Sequence, residues 1–405
     1  MVVIAPGEAG EAAFMRGQSL AFHRFLMRIA FAAGNIFAWV FAFRGFYLAS
    51  GSLEAAVFAI AVLYALMQGI VLIMTPLSGA ALRHGMRRSL AYGTLLSSFA
   101  FACFSLVFAP QVGAQFAFTM IATFVVFMGL HRALYWVPYR SEVTDTGVYV
   151  RTTFGQEAFI ALVPLIAGFI IEVEWLGPEA LLAAVSLLAL AALLPLIRIP
   201  ESYEGFEWGF GETFGNLFSP FNRGFLTLSV LDGIQGTALL LVWPLAAFVI
   251  LGQSFLGLGF ILTVTLILAP FARRLVRALM RRVRAERSTP VLASLVFSSW
   301  MFRLAAASPL QILVADIYYH SSTSPKRFSL DVHASEQSAD GAHYVDEYTA
   351  LKEMGMALGR ILACLFLAAA VYFIPAAGAF ALLIIITAFS AAWSVIISRR
   401  LARGV

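Results

Sequence analysis

Residues 76–88, PLSGAALRHGMRR, recur in altered form at residues 270–282, PFARRLVRALMRR. At this offset of 194 residues, five of thirteen positions are identical: a proline, a methionine and three arginines. Unrelated sequence of ordinary composition would give about one identity over the same length. The repeat predicts two related halves, each with an apolar segment that contains a proline and ends in arginines.

The composition places most of the chain in lipid. Of 405 residues, 61% are hydrophobic and 12% are charged, and the mean hydropathy is +0.88. This apolar share exceeds what the core of a water-soluble domain buries. A disordered chain, a collagen-like chain and a disulfide scaffold are excluded. Cys103 and Cys364 lie within apolar stretches and are predicted to be packing residues.

Apolar segments long enough to cross a bilayer follow one another along the sequence. The first half contains predicted spans at 25–49, 54–76, 89–109, 114–137, 154–173 and 179–197. The second half contains predicted spans at 224–250, 255–272, 289–304, 308–331, 350–373 and 377–397. The polar stretch 308–331 is included because the 194-residue shift aligns it with span four. The predicted fold is an all-α integral membrane protein with twelve transmembrane helices in two six-helix halves.

These spans divide the chain into five predicted regions. They are an N-terminal tail at 1–24, a first half at 25–197, a linker at 198–223, a second half at 224–398 and a C-terminal tail at 399–405. Arginines concentrate in the loops on one side, which by the positive-inside rule predicts that both termini and the linker are cytoplasmic. The same arginines explain the net charge of +5 without a nucleic-acid partner. The predicted location is a plasma membrane of the bacterial inner-membrane type.

Two six-helix halves, a central linker and a basic loop between the second and third spans of each half resemble the major facilitator superfamily of secondary transporters. The superfamily's Gly-x-x-x-Asp-Arg-x-Gly-Arg-Arg loop is approximated by GAALRHGMRR at residues 79–88. Arg83 stands where that motif has Asp, and Gly85 comes one position early. The resemblance implies alternating access, in which the halves rock around a midplane cavity lined by spans 1, 2, 4, 5, 7, 8, 10 and 11.

Charged side chains deep inside a span are expensive in lipid and are therefore candidate functional groups. Arg360 in span eleven and Asp316 in span ten are both predicted to lie near the midplane. We predict that they neutralise one another. The pair is either a structural ion pair or a substrate or proton site, and the residues alone leave this open.

Four further polar residues lie on spans that line the cavity in the superfamily: Asn35, Gln68, Asp232 and Gln235. Asp232 is a candidate for proton coupling, or alternatively a helix-end carboxylate that reaches cytoplasmic water. Asn35 and Gln68 either contact solute or hydrogen-bond neighbouring helices.

His131 and Tyr135 recur at helical spacing toward the cytoplasmic end of span four. His131 is a candidate titratable group near neutral pH. The alternative is that His131, Tyr135 and the neighbouring aromatic residues anchor the helix at the membrane surface.

A cytoplasmic gate is predicted from the repeat, because each half presents three arginines and a glutamate near its inner loops. The gate residues are Arg83, Arg87, Arg88 and Glu142 in the first half, and Arg277, Arg281, Arg282 and Glu336 in the second. Opposed charges of this kind would bias the conformational equilibrium. Positive-inside topology alone is the alternative explanation for the arginines, but it does not explain the glutamates.

The sequence contains no Walker-type glycine loop, no His-Glu-x-x-His and no Gly-x-Ser-x-Gly. No catalytic residue, metal or cofactor is predicted, and an intramembrane enzyme would need a nucleophile or base cluster that these residues do not form. The predicted function is secondary transport of a small solute, coupled to protons, by a monomer in contact with lipid. The alternative is a transport-incompetent receptor or scaffold on the same fold, for which a midplane arginine has no purpose.

Overall fold

The computed structural model describes residues 6–109, 113–145, 154–201, 203, 206–282, 288–323 and 345–401. Within these ranges all regular secondary structure is helical. The helices are α1 Pro6–Ser50, α2 Leu53–Leu82, α3 Met86–Phe108, α4 Ala114–Asp145, α5 Phe154–Glu172, α6 Gly177–Leu196, α7 Phe210–Leu217, α8 Pro220–Ile250, α9 Phe255–Arg282, α10 Thr289–Ala305, α11 Pro309–Ser322, α12 Val345–Phe373 and α13 Ala376–Leu401.

Ten helices of the described ranges are long and apolar enough to cross a membrane, namely all except α7, α10 and α11. Helix α10 is apolar but shorter, and α11 has 14 residues. The described part of the chain is therefore all-helical, and its ten long apolar helices make it a multi-pass membrane protein, as the composition predicts. The predicted continuation of span ten over residues 324–331 lies outside the described residues.

The first helix is longer than predicted. It begins at Pro6, and its membrane-crossing part begins at Gly17, within the predicted tail at 1–24. Charged and polar residues make this segment look like a tail, yet Leu20 and His23 are fully buried. Burial of His23 is tolerated because both ring nitrogens have hydrogen-bond partners. The start of the first half at residue 25 is corrected accordingly.

Helix α8 is assembled from pieces with different winding. A 3-10 turn at Pro220–Asn222 leads into an α-helical piece at Arg223–Thr237. A π-helical turn at Ala238–Val242 follows, and Trp243–Ile250 is again α-helical. The π-helical turn is wider than an α-helical turn, so it changes which side of the helix the following residues face. The predicted linker at 198–223 therefore contains α7 and the first residues of α8.

Short turns connect most of the long helices, so consecutive helices return antiparallel and the loops collect at two ends. The basic end contains the α2–α3 turn at 83–85 and the arginine-containing ends of α9 and α13. The opposite end contains the turns at 51–52, 173–176 and 251–254. Positive φ angles at Gly51 and Gly252 allow two of these tight turns.

Helix packing follows the same pattern in α1–α6 and in α8–α13. The pairs α1 with α5, α1 with α6, α2 with α4, α3 with α4 and α3 with α6 are in contact. The corresponding pairs α8 with α12, α8 with α13, α9 with α11, α10 with α11 and α10 with α13 are also in contact. Between the two groups, α2 packs along α12 and α5 packs along α9.

Glycines permit the closest of these helix contacts. On the α8–α12 pair, a side chain at Gly233 would collide with the Met356 carbonyl, and one at Gly359 would collide with the Val230 carbonyl. On the α5–α9 pair, a Cβ at Gly168 would lie 2.6 Å from the Phe255 carbonyl oxygen. Small residues let membrane helices approach until their backbones touch, and dispersion contacts then stabilise the pair.

Substitution at Gly359 tests this contact. Gly359→Val is expected to destabilise the protein by about 1–3 kcal/mol or more, because the helices must separate to admit two methyl groups. The control is Gly69→Val on α2, where no neighbouring atom lies within 4 Å of the added Cβ. Thermal unfolding in detergent measures both changes. Equal shifts in the two variants would contradict close α8–α12 packing.

Candidate functional site

A polar contact joins the two helix groups in the middle of the bundle. Arg360, near the centre of α12, donates from Nη1 to Oε1 of Gln68 on α2 at 3.1 Å, and both side chains are buried. Gly236 on α8 faces the guanidinium, since a Cβ there would lie 3.5 Å from Arg360 Nε, at ordinary contact distance. Three helices from both groups therefore meet at Arg360.

Asp232 and Gln235 lie on α8 close to the same level. On α8, Gly236 is the residue that faces Arg360. Asp232 precedes Gly236 by four residues, so it lies about one helical turn from Arg360 along the bundle. Gln235 donates from Nε2 to Asp232 Oδ1 at 3.2 Å, and the Ser394 hydroxyl lies 3.3 Å from the same oxygen. Because α8 begins at Pro220, Asp232 is about 18 Å from that helix end.

Asn35 is half-buried on α1 and has no hydrogen-bond partner within the described chain. The structure brings Gln68, Arg360, Asp232 and Gln235 to neighbouring helices within about one helical turn of each other along the bundle. It does not connect Asn35 to this group.

His131 and Tyr135 lie in a separate buried cluster among α1, α3, α4 and α6. His131 Nδ1 donates to the Gly93 carbonyl at 2.8 Å, and His23 Nδ1 donates to the Ala192 carbonyl at 2.7 Å. A carbonyl only accepts, so His23 Nε2 is the acceptor for the Tyr135 hydroxyl at 3.1 Å. Burial of these side chains is unlike a surface anchor. His23 is not among the predicted site residues, because it falls within the predicted N-terminal tail.

The predicted ion pair between Asp316 and Arg360 is wrong. Asp316 Oδ1 instead accepts a hydrogen bond from Arg303 Nη2 at 2.8 Å, and both side chains are buried. Arg303 ends α10 and Asp316 lies two turns into α11, so the antiparallel α10–α11 hairpin brings them together. Arg360 is on α12, which packs against α2 and α8.

Three aromatic rings enclose this ion pair. The guanidinium carbon of Arg303 lies 4.7 Å from the ring of Trp243, 4.4 Å from that of Trp300 and 4.3 Å from that of Tyr319. Cation–π attraction at these distances stabilises a desolvated guanidinium. We call Trp243, Trp300, Arg303, Asp316 and Tyr319 the Arg303 box. Arg303 is not among the site residues predicted from the sequence.

At the basic end, the predicted gate arginines of the first half contact the linker. Arg83 donates from Nε to the Phe206 carbonyl at 2.6 Å and from Nη2 to the Glu207 carbonyl at 3.2 Å. The Glu207 amide donates to Glu347 Oε1 on α12 at 2.8 Å. A short linker segment thus connects the α2–α3 turn to α12.

Arg87 and Arg88 face Glu201 at 3.1 and 3.8 Å. This linker carboxylate is not among the predicted gate residues. The side chain of Glu142 and all of Glu336 lie outside the described residues. Arg277, Arg281 and Arg282 are exposed at the end of α9.

Glu201→Gln is expected to lower stability by only about 0.2–1 kcal/mol, because Arg87 and Arg88 are partly in solvent. Added salt should shrink the difference further. Thermal unfolding against salt concentration measures it, with Glu174→Gln, an exposed glutamate at the opposite end, as the control. A larger effect that salt does not change would show that Glu201 acts through packing.

Contacts also bridge the two helix groups at the opposite end. Glu172 at the end of α5 accepts hydrogen bonds from the Ser254 hydroxyl at 2.9 Å and the Leu256 amide at 3.0 Å. The ring of Phe255 on α9 packs against Phe41 on α1, with centroids 4.9 Å apart. The exposed Arg44 guanidinium lies 5.3 Å from the same ring.

Comparison with models of protein families and with curated protein sequences finds no match. Solved structures of several transporters share the fold. A bacterial homologue of the iron transporter ferroportin, in an inward-facing state, superposes with a TM-score of 0.64 at 13% identity over 95% of this chain and 98% of that chain. A D-xylose-proton symporter gives 0.60 at 16% identity over 94% and 96%. A peptide transporter POT gives 0.57 at 13% identity over 96% and 95%.

These similar structures are transporters of the major facilitator type, not enzymes. The likeness is one of fold and extends over nearly the whole chain. The chain therefore shares the fold of these transporters, as the resemblance to the major facilitator superfamily predicts.

Proposed function

We propose that this protein is a secondary active transporter that moves a small solute by alternating access. In this proposal α1–α6 and α8–α13 are two six-helix halves, and α10 and α11 are the ninth and tenth of twelve spans. The equivalent packing within α1–α6 and α8–α13 supports two related halves. So do the contacts of α2 with α12 and of α5 with α9, because a twofold relation converts one pair into the other.

The buried Gln68–Arg360 hydrogen bond carries the proposal. It joins one half to the other at mid-depth, where an arginine is costly unless it binds something. A solute that enters between the halves would compete with Gln68 for the guanidinium, and it would also meet Asp232 and Gln235 on α8. Breaking and forming this interhelical bond would then accompany the rocking of the halves.

Proton coupling is part of the proposal, with Asp232 and Asp316 as the candidate carboxylates. Asp316 is bound to Arg303, and protonation of a carboxylate releases its arginine partner. One of the similar structures is described as a proton symporter. The arginines at the basic end support cytoplasmic termini in a bacterial inner membrane by the positive-inside rule. We propose a monomer with lipid, a solute and protons as its partners.

A proteoliposome assay tests transport directly. Purified protein is reconstituted with a pH-sensitive dye inside the vesicles, and a broad panel of small solutes is added outside. A solute-dependent proton flux in the wild-type protein, absent from empty vesicles, is expected. A chain that shows neither proton flux nor uptake of any labelled solute, while remaining folded, would favour a receptor or scaffold.

A further inference from the structure

Four buried N–H donors in the Arg303 box have no hydrogen-bond acceptor among the described residues. Arg303 Nε and Nη1 and the indole nitrogens of Trp243 and Trp300 are buried and have no hydrogen-bond partner in the described chain. Two of these nitrogens belong to the guanidinium, and the other two belong to tryptophans whose rings contact it. Buried donors are almost always hydrogen-bonded, because a buried donor without a partner has lost its hydrogen bonds to water and gained none in return.

The missing partner must supply acceptors rather than donors. Asp316 Oδ1 already accepts from Arg303 Nη2, and the Trp243 indole lies beside Asp316 without a well-formed hydrogen bond. A water molecule would accept from two of these donors at most, and it brings no charge. A small anion brings acceptors alone, and it matches the positive charge of Arg303.

Charge balance determines what accompanies the anion. The positive charge of Arg303 and the negative charge of Asp316 cancel, and both groups are buried. An added anion would leave a net buried negative charge, which is strongly unfavourable. A proton on Asp316 removes that charge and leaves Arg303 available to the anion.

We propose that the Arg303 box binds one small monovalent anion, of the size of chloride or acetate, together with one proton on Asp316. The site goes beyond the proposed function, because binding here requires no transport. Arg303 lies two residues before the end of α10, and the α10–α11 turn follows at 306–308. The box therefore lies directly beneath the surface of the opposite end.

Few charged or titratable groups surround Asp316 in the described part of the chain. Helix α10 contributes Arg303, and α11 itself contributes Tyr319 and His320, whose rings lie 5.2 Å apart. Asp316 is the carboxylate paired with Arg303. Helix α9 contributes Arg273, whose Nε donates to the His320 carbonyl at 3.4 Å, one turn further along α11. Helix α8 contributes the uncharged Trp243. The proton taken up with the anion is therefore assigned to Asp316.

Binding is tested on the purified full-length protein in detergent, by thermal unfolding and tryptophan fluorescence. Chloride and acetate are the probes, and gluconate at equal ionic strength is the large-anion control. Stabilisation by the small anions is expected to strengthen on acidification. In the pH range where Asp316 is ionised in the anion-free protein, the anion concentration at half-maximal stabilisation should fall about tenfold for each pH unit of acidification. This slope is the signature of one proton bound per anion. No difference between chloride or acetate and gluconate at any pH would overturn the proposal.

Two variants locate the site. Asp316→Asn mimics the protonated carboxyl, so small anions should stabilise it at every pH, whereas Arg303→Gln should lose the response. Arg44→Gln, an arginine next to an aromatic ring at the same end, should respond as the wild type does. A chloride response that persists in Arg303→Gln would place the anion elsewhere and overturn the assignment. If Asp316→Asn does not fold, the pH series on the wild-type protein still tests whether a proton binds together with the anion.

Discussion

Arg360→Gln is expected to reduce solute transport roughly tenfold to a hundredfold in proteoliposomes while the protein remains folded. A hydrogen bond to a charged group contributes about 1.5–3 kcal/mol, which corresponds to that range. Glutamine keeps a hydrogen-bonding group opposite Gln68 but lacks the charge that a solute would meet. Initial uptake rate of a solute identified in the panel assay measures the effect, and thermal unfolding reports on the fold.

Arg44→Gln is the matched control, because it removes an arginine from an exposed site away from the centre of the bundle. It should transport at close to the wild-type rate. A Gln68→Ala variant completes the comparison, since loss of the interhelical bond should shift the conformational equilibrium without removing the guanidinium. Wild-type uptake by Arg360→Gln would remove Arg360 from the proposed solute site.

Arg303→Gln is expected to destabilise the protein by about 3–5 kcal/mol, because it leaves Asp316 as an unpaired buried carboxylate. Asp316→Asn should cost a comparable amount by leaving the guanidinium unpaired. Thermal or denaturant unfolding measures both, with gluconate as the only anion so that no small anion substitutes for the lost partner.

The double variant Arg303→Gln with Asp316→Asn should recover much of the stability, because no uncompensated charge remains buried. Losses that simply add in the double-mutant cycle would show that the two side chains do not act as a pair. The combination of Asp316→Asn with Arg360→Gln, by contrast, should behave additively, since those residues lie on helices that pack against different neighbours.

Much of the fold is predictable from the sequence because lipid imposes a length and a composition on every span. The repeat of Pro76 at Pro270 identifies equivalent helices, and both prolines lie inside the second helix of their group. Depth along a helix also follows from counting residues, which places Arg360 near the middle of α12. These properties depend only on distance along the chain.

Which side chains meet across the bundle depends on how each helix is rotated about its axis and on which helices pack against it. Counting residues along the sequence provides neither. Asp316 and Arg360 were matched by depth alone, but depth does not reveal that α11 packs on α9 and α10. Arg303 was overlooked because its position at a helix end suggested exposure, whereas the hairpin and three aromatic rings enclose it. Glu201 was overlooked because a linker has no hydropathy signal that predicts its contacts.

The π-helical turn at Ala238–Val242 lets one helix serve two sites. An extra residue in a helical turn rotates everything that follows by about 100°. Asp232 and Gln235 precede this turn, and Trp243 follows it and enters the Arg303 box. The direction in which Trp243 points is therefore not fixed by the direction of Asp232 and Gln235. In a uniform α-helix, the orientation of one site would dictate that of the other. The irregular turn therefore allows the side chains of each site to be oriented without fixing those of the other.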